Sequence, residues 1–503
     1  ILILQQSVEL VYAYFGTILN GSIPSIMPFL TEKLLPEKYR KDLVSLIEIT
    51  QPSAIFTYRD FTDELTQIQA QNTFIKALIF SEEIEASTDG QTEMENFPGT
   101  ERGEDEIVLL HHSSGSTGLQ KGVALSHQAV FNQLDCYSKT IGLTSRDVIV
   151  SWLPLYHDMG LIACLLMPIL YNIALVIMSP FDWVRAPHRL FQAVSQYRGT
   201  LCWLPNFAYN FCAQKIRPAD MEGVGLSTLR AVINCSEPMR RSSHQAFLDR
   251  FSPHGLKPSA IATCYAMAEN VFAVTQDGID KAVTYDEIDQ ETFQKDKVAR
   301  KAFDQRPSVF HVSAGRPIAN TQVRIIDADG NELPDRHVGE IVIKSNCMLT
   351  GYYHREDATV SSFTEGWFKT GDLGYLAEGE LYVSGRKKDL IIVGGKNVYP
   401  QDIEAVVNEV GGVHPGRCVA FGVFNEEKGT EDVVVIAELE TDHVDKERLV
   451  AEQIRKMVTQ STAVALRQVY LVNDFWLIKT SSGKIARAAN KDKYLSETGN
   501  HAG

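Results

Sequence analysis

Ser113-Ser114-Gly115-Ser116-Thr117-Gly118-Leu119-Gln120-Lys121-Gly122 packs four hydroxyls, three glycines and one lysine into ten positions, behind the apolar run Ile107-Val108-Leu109-Leu110. Glycine permits close backbone approach and positive φ, so such a loop can wrap phosphates with N–H groups and hydroxyls. It is not the P-loop of NTPases, which closes on Gly-Lys-Ser/Thr; here Lys121 precedes Gly122. Taken alone, the stretch reads equally well as a Ser/Gly surface loop, so other segments decide.

The 503 residues exceed what one hydrophobic core supports and predict two or more domains. A hydrophobic content of 44% with 22% charged residues is that of a soluble globular enzyme. The net charge of -15 argues against a nucleic-acid binder and against a polybasic membrane anchor. The eight cysteines are scattered, without zinc spacing, and read as buried free thiols in a reducing cytoplasm. Leu161–Met178 is uncharged, but Pro168 and Tyr171-Asn172 break it. It reads as a buried helix leading into a buried strand, Ile173–Met178, rather than a membrane span. The chain starts at Ile1 with no signal-peptide pattern, and a preceding segment is expected to be missing.

Strand-length apolar runs alternate with helical segments over the first three quarters. Ile107–Leu110, Ile173–Met178 and Leu229–Asn234 read as strands; Gln128–Thr140 and Ser242–Phe251 read as helices. The alternation predicts an α/β architecture with largely parallel sheets. Gln322–Asp327 and Gly339–Lys344 flank a turn at Asp329-Gly330-Asn331. After Gly385 the pattern changes to a small α+β unit. Its strands are expected at Asp389–Val393, Cys418–Phe424 and Val433–Leu439, its helices at Pro400–Val410 and Lys446–Val458. The expected division is 1–386 and 387–503. The polar, charge-rich segment Gln276–Arg306 reads as a surface insertion.

Further segments bear on the opening loop. Ser151-Trp152-Leu153-Pro154-Leu155-Tyr156-His157-Asp158-Met159-Gly160 ends a strand and starts a helix. Tyr265-Ala266-Met267-Ala268-Glu269 follows an apolar run, and Thr370-Gly371-Asp372 precedes Gly385-Arg386-Lys387-Lys388-Asp389. Lys479-Thr480-Ser481-Ser482-Gly483-Lys484 lies near the C-terminus. In this order and spacing, from about Val11 to Tyr494, the chain resembles the adenylate-forming superfamily of acyl-CoA synthetases, luciferases and peptide-synthetase adenylation domains. Trp152–Leu161, Pro205-Asn206-Phe207-Ala208-Tyr209 with Cys212, and Tyr399-Pro400-Gln401-Asp402-Ile403-Glu404 most resemble fatty acyl-AMP ligases. The resemblance implies a large N-terminal domain of stacked α/β subdomains and a small mobile α+β C-terminal domain. Such ligases carry an extra segment that restrains the C-terminal domain, and Gln276–Arg306 matches it by composition.

The chemistry implied is attack of a carboxylate on the α-phosphorus of ATP, anion against anion, which requires charge offset and in-line positioning. By resemblance, Ser113, Ser114, Gly115, Ser116, Thr117, Gly118 and Lys121 hold the phosphates, and Glu269 with Thr117 binds Mg2+. Cys235, Ser236, Glu237, Tyr265 and Ala266 line the adenine; Cys235-Ser236 stands where the family more often has Gly-Ala. Asp372 and Arg386 hold the ribose, and His157, Asn206 and Phe207 border the acyl pocket. Lys388 is the hinge, and Lys484 reaches between carboxylate and α-phosphate as a compact cation.

Each residue also has a plainer reading: solvated charge for Glu269, Arg386, Lys388 and Lys484, a core ring for Tyr265, a structural histidine for His157. Ser481-x-x-Lys484 matches a penicillin-binding pattern, but the companion signatures are missing. The expected activity is formation of an acyl-adenylate from a fatty acid, then transfer to an acyl carrier protein. Transfer to CoA, or an inactive nucleotide-binding module, stand as alternatives.

Overall fold

The computed structural model describes all residues except 30–35, 62–64, 67, 69–71, 85–93, 114–120, 304–306, 395, 427, 441–445, 463, 481–482 and 499–503. A seven-stranded sheet carries the site. Its order is Arg316–Pro317, Ala273–Asp277, Ile261–Ala266, Ala231–Cys235, Leu201–Leu204, Val148–Ser151, Ala174–Ile177. The last five run parallel and the first two pairings are antiparallel. Leu201–Leu204 and Ala231–Cys235 are buried throughout, as central strands of a parallel sheet covered on both faces; the second lies within the expected strand Leu229–Asn234 but for its last residue. The expected buried strand at Ile173–Met178 is instead the sheet's outer edge. Ala174 and Ile177 are exposed and Leu175 and Val176 half-buried, since among the described residues the strand is paired on one side only.

Beside this sheet, Ile107–Ser113 pairs antiparallel with Lys121–Ser126, Ser113 opposite Lys121. The two ends of the hydroxyl-rich loop are thereby side by side, while Ser114, Gly115, Ser116, Thr117 and Gly118 lie outside the described residues. The Ser126 hydroxyl accepts from Ala129 N–H and caps the helix His127–Thr140. A third, antiparallel sheet contains Thr321–Ile326, Gly339–Ser345, Phe363–Thr364, Trp367–Ala377 and Glu380–Arg386. The expected turn at Asp329-Gly330-Asn331 lies inside the connection between its first two strands, held by Asp327 Oδ1 accepting from Asp329 and Asn331 N–H groups.

Beyond the short hairpin Ile391–Val393/Lys396–Val398, the strands Val413–Asn425, Thr430–Leu439 and Leu466–Val472 form a separate sheet. The helices Pro400–Val407 and Glu447–Thr462 pack one hydrophobic cluster that includes Ile403, Val435, Ile454 and Val458. A second cluster gathers Val419, Ile436, Leu477 and Tyr494, the last from the helix Arg487–Thr498. Neither cluster shares residues with the large core, which runs from Leu2 to Leu381. The architecture is thus α/β, a large N-terminal body followed by a small α+β body.

Gln276–Arg306 is not a surface insertion. Gln276 and Asp277 are buried in the seven-stranded sheet, and Asp286, Ile288, Asp289, Phe293 and Ala299 are also buried. Tyr285–Asp289 pairs with Ser308–Val312, and the helix Gln290–Asp296 follows. Composition misleads here because the buried carboxylates are partnered. Arg336 Nη1 and the Tyr375 hydroxyl both donate to Asp286 Oδ2, and Asp289 caps the helix through Thr292 N–H. The segment wedges between the two bodies: Phe293 packs on Tyr375 and on Tyr399, with ring centroids 6.3 and 5.4 Å apart.

Candidate active site

The parallel strands Ala231–Cys235 and Ile261–Ala266 are neighbours in register, Cys235 opposite Cys264. Their carboxyl ends deliver the Cys235-Ser236-Glu237 turn and Tyr265-Ala266 to one edge, where α/β sheets bind ligands. Ser236 holds φ at 69°, a left-handed conformation uncommon outside glycine. The turn is fixed from behind. Glu237 Oε2 accepts from Phe207 N–H at 2.8 Å, and Asn206 Oδ1 accepts from Asn234 Nδ2 at 3.0 Å and from Arg240 N–H at 3.2 Å. Asn206 Nδ2 donates to Ser243, so both its amide atoms hold this framework together. His244 completes it, joined through one ring nitrogen to Asn234 and through the other to Tyr285.

Tyr265 reaches across to the antiparallel sheet. Its hydroxyl donates to Asp372 Oδ2 at 2.6 Å, and Arg386 Nε lies 3.6 Å from Asp372 Oδ1. Strand pairing explains the last contact, since Asp372 and Arg386 are register partners. Burial pushes the Asp372 carboxyl above its ordinary value, against the opposing pull of Arg386 and Tyr265.

Glu269 sits on the turn that follows. Val271 there has φ 61°, an outlier for a β-branched residue. The strain is held in place by Asn270, whose Nδ2 donates to Ala273 O at 2.7 Å while its Oδ1 accepts from Ser345. Glu269 Oε1 accepts from the Tyr352 hydroxyl at 2.9 Å. Burial raises the Glu269 pKa, and the charges of Asp158 and Asp372 add to the rise. The Glu269 carboxylate is an oxygen donor of the kind a hard cation takes, although among the described residues no three acidic, histidine or cysteine side chains are grouped as a metal site. Lys121 points its Nζ at the Tyr352 ring, 4.4 Å from the centroid.

On the far side, His157 Nδ1 lies 2.6 Å from Asp158 Oδ1. Burial would raise the Asp158 carboxyl, but the charge of His157 and the hydrogen bond to it hold it well below the usual range. Asp158 also accepts from Met159 N–H at 2.7 Å and opens the helix expected there, a wholly buried π-helix over Met159–Leu166. Gly160 is required there, since any side chain would strike the Pro154 carbonyl. Phe207, 40% exposed, stands edge-on to both Trp152 and Trp183, whose rings stack 3.7 Å apart. Aromatic contacts of this kind contribute about 0.5–1.5 kcal/mol beyond area burial.

Lys484 lies on a hairpin turn in which Thr480 N–H donates to Lys484 O at 2.7 Å. Its half-buried side chain makes no hydrogen bond or ion pair with Glu269, Asp372 or His157. Three residues on, Arg487 donates to Asp389 Oδ2 at 2.6 Å and to both Glu404 oxygens, tying the lysine-bearing segment to the residue after Lys388. Between the bodies, Arg240 Nη1 donates to Asp402 Oδ1 at 2.9 Å, and Gln290 Nε2 donates to Ser461 O at 3.1 Å.

The structure therefore brings together Glu269, Tyr265, Asp372, Arg386 and Lys121, sets Asn206 and Phe207 behind the Glu237 turn, and keeps Lys484 apart. Sequence reading missed Tyr352, Arg240 and Trp183. Tyr352 sits in Thr350-Gly351-Tyr352, too short for periodicity to mark it, and the other two act only through tertiary contacts.

Residues 1–353 match the family model described as AMP-binding enzyme. The medium-chain-fatty-acid–[acyl-carrier-protein] ligase JamA of Moorena producens is 30% identical over 523 residues, covering 99% of this chain and 86% of that protein. A solved structure from studies of fatty acyl-adenylate ligases from E. coli and L. pneumophila superposes with TM-score 0.87 at 26% identity, covering 99% of this chain and 88% of the other. The L. pneumophila fatty acyl-adenylate ligase in complex with acyl adenylate and pyrophosphate superposes with TM-score 0.72 at 28% identity, over 98% and 86% of the two chains. By this kinship the chain belongs to the AMP-binding enzyme family as an adenylate-forming ligase.

Proposed function

We propose that the chain activates a medium- or long-chain fatty acid with ATP and Mg2+ and passes the acyl group to the phosphopantetheine thiol of an acyl carrier protein. A carboxylate oxygen of the acid attacks the α-phosphorus; the bond to the β-phosphate oxygen breaks, and pyrophosphate leaves. The thiol then attacks the acyl carbon, and AMP departs. The single observation carrying this reading is the convergence of Tyr265, Asp372 and Arg386 beside the half-buried Glu269 carboxylate.

Adenine lies against Tyr265, Ala266 and the Cys235-Ser236-Glu237 turn, with the ribose hydroxyls on Asp372 and Arg386. Ser113–Gly118 and Lys121 hold the phosphates, and Glu269 and Thr117 hold Mg2+, which screens the triphosphate charge. His157, Asn206 and Phe207 border the acyl chain. No general base is required, because the acid is ionised at neutral pH. Lys484 supplies the cation that the reacting anions need. It arrives by rotation of 387–503 about Lys388, which lies on the short turn Lys387–Asp389.

The choice of carrier protein over CoA as acceptor is supported by the Gln276–Arg306 wedge, whose Phe293 and Gln290 grip the small body. Product analysis tests this. Enzyme, ATP, Mg2+ and fatty acid should accumulate acyl-AMP, which added CoA converts little and an acyl carrier protein converts fully. Efficient acyl-CoA formation would favour an acyl-CoA synthetase.

A further inference from the structure

Tyr352 touches two oppositely charged residues at once. Its hydroxyl donates to Glu269 Oε1 at 2.9 Å, and its ring face receives Lys121 Nζ at 4.4 Å. The backbone explains why it can. Leu349 N–H donates to Glu269 O, Thr350 N–H to Ala124 O and Tyr353 N–H to Gly122 O, each at 2.8 to 2.9 Å. The segment Leu349–Tyr353 therefore stitches the Glu269 turn to the strand that leaves the phosphate loop. Tyr352 is paired with Val123, two residues after Lys121, and its own N–H is fixed by the Thr359 hydroxyl at 2.9 Å. The side chain is 7% exposed and has no freedom to serve the two partners in turn. A phenol that donates to a carboxylate gains electron density in its ring, which strengthens the attraction for the ammonium. The two contacts reinforce one another.

We propose that Tyr352 is a positioning residue that locks the Glu269 carboxylate and the Lys121 ammonium at a fixed separation, so that a metal–triphosphate meets its anionic and its cationic contact as one rigid unit. This rests on the adenylation reading above, in which Glu269 serves the metal and Lys121 the phosphates. Neither charge needs to be ordered when the nucleotide arrives, so the hydrogen bond and the ring contact act on binding rather than on the chemical step.

The test is calorimetric titration of ATP into the full chain, in EDTA and in saturating Mg2+, together with melting curves. Tyr352→Phe keeps the ring and removes only the hydroxyl. It should leave the metal-free Kd within twofold and cut the tightening conferred by Mg2+ about tenfold, the scale of a hydrogen bond to a charged group. Tyr352→Leu should lose that tightening and also weaken metal-free binding roughly threefold, the scale of an exposed cation–π contact. Lys121→Met, which removes the phosphate contact itself, should weaken metal-free binding at least as much, and adding Tyr352→Leu to it should cost no further metal-free affinity. An unchanged Mg2+ response in folded Tyr352→Phe, or additive metal-free losses in the double variant, would overturn the proposal. A wild-type chain that bound no ATP would instead sink the adenylation reading itself, a result distinguishable from either.

Discussion

The Tyr265 hydroxyl and the Asp372 carboxylate meet at 2.6 Å although 107 positions separate them in the chain. The bond joins the carboxyl end of the parallel sheet to the antiparallel sheet, and so fixes the distance between the residues assigned to adenine and to ribose. On the function proposed above, a nucleotide meets the two as one preassembled pair.

Asp372→Asn should therefore weaken ATP binding by about 1–3 kcal/mol, since an unmet polar group at a partly buried site costs that much. Tyr265→Phe keeps the ring and loses the tie, and should raise the ATP KM several-fold with a smaller change in kcat. Nucleotide titration and steady-state kinetics check both variants.

Lys484→Ala should lower fatty-acid-dependent pyrophosphate exchange by about 100-fold or more, the scale of removing one transition-state charge contact. ATP affinity should hold within about twofold of wild type, because Lys484 makes no hydrogen bond or ion pair with Glu269 or Asp372. Loss of ATP binding in step with activity would place the lysine in the ground-state site instead.

The wedge prediction needs point substitutions. Removing Gln276–Arg306 whole would take out buried Gln276 and Asp277 of the seven-stranded sheet and unfold it. Phe293→Ala breaks the contact with Tyr399, and Arg240→Ala breaks the ion pair with Asp402. Together they should free the small body and raise acyl-CoA formation at least several-fold, with acyl-AMP formation retained. Equal CoA ligation in wild type and double variant, measured by mass spectrometry, would remove the wedge from the account of acceptor choice.

Stability should fall steeply in mild acid. Burial lowers His111, His244 and His311 to about 4 and His112 to about 3, from 6.5. These rings stay neutral when folded, whereas the unfolded chain protonates them near pH 6.5. The unfolded state therefore binds more protons between about pH 6.5 and 4, and stability drops as pH falls through that window. Four such groups acting together give a slope of roughly 5 kcal/mol per pH unit. His311, whose ring packs on Phe293 at 4.8 Å, offers the check: His311→Leu should reduce the slope by one proton in calorimetric melts. An unaltered slope would show that His311 does not contribute.

Much of this was legible in the sequence where local pattern and burial agree. The apolar runs read at Ile107–Leu110 and Leu229–Asn234 fall on the strands Ile107–Ser113 and Ala231–Cys235, and the helix read at Gln128–Thr140 is His127–Thr140. Legibility failed where partners lie far off in sequence. Ala174–Ile177 is apolar yet forms an edge, because its exposure depends on which strand lies beside it. Gln276–Phe303 is polar yet buries Asp286, because Arg336 and Tyr375 satisfy that carboxylate from other elements. Tyr352 carried no pattern at all; only the pairing of Gly351–Tyr352 with Val123 and Ala124 puts it between Lys121 and Glu269.

The central claim is adenylation of a fatty acid, and isotope exchange between pyrophosphate and ATP measures its reversible step directly. With Mg2+ present, exchange should depend on added fatty acid, vary with chain length across a panel of acids, and vanish in Lys484→Ala. Exchange that is absent with every acid, or that proceeds equally without one, would contradict the account.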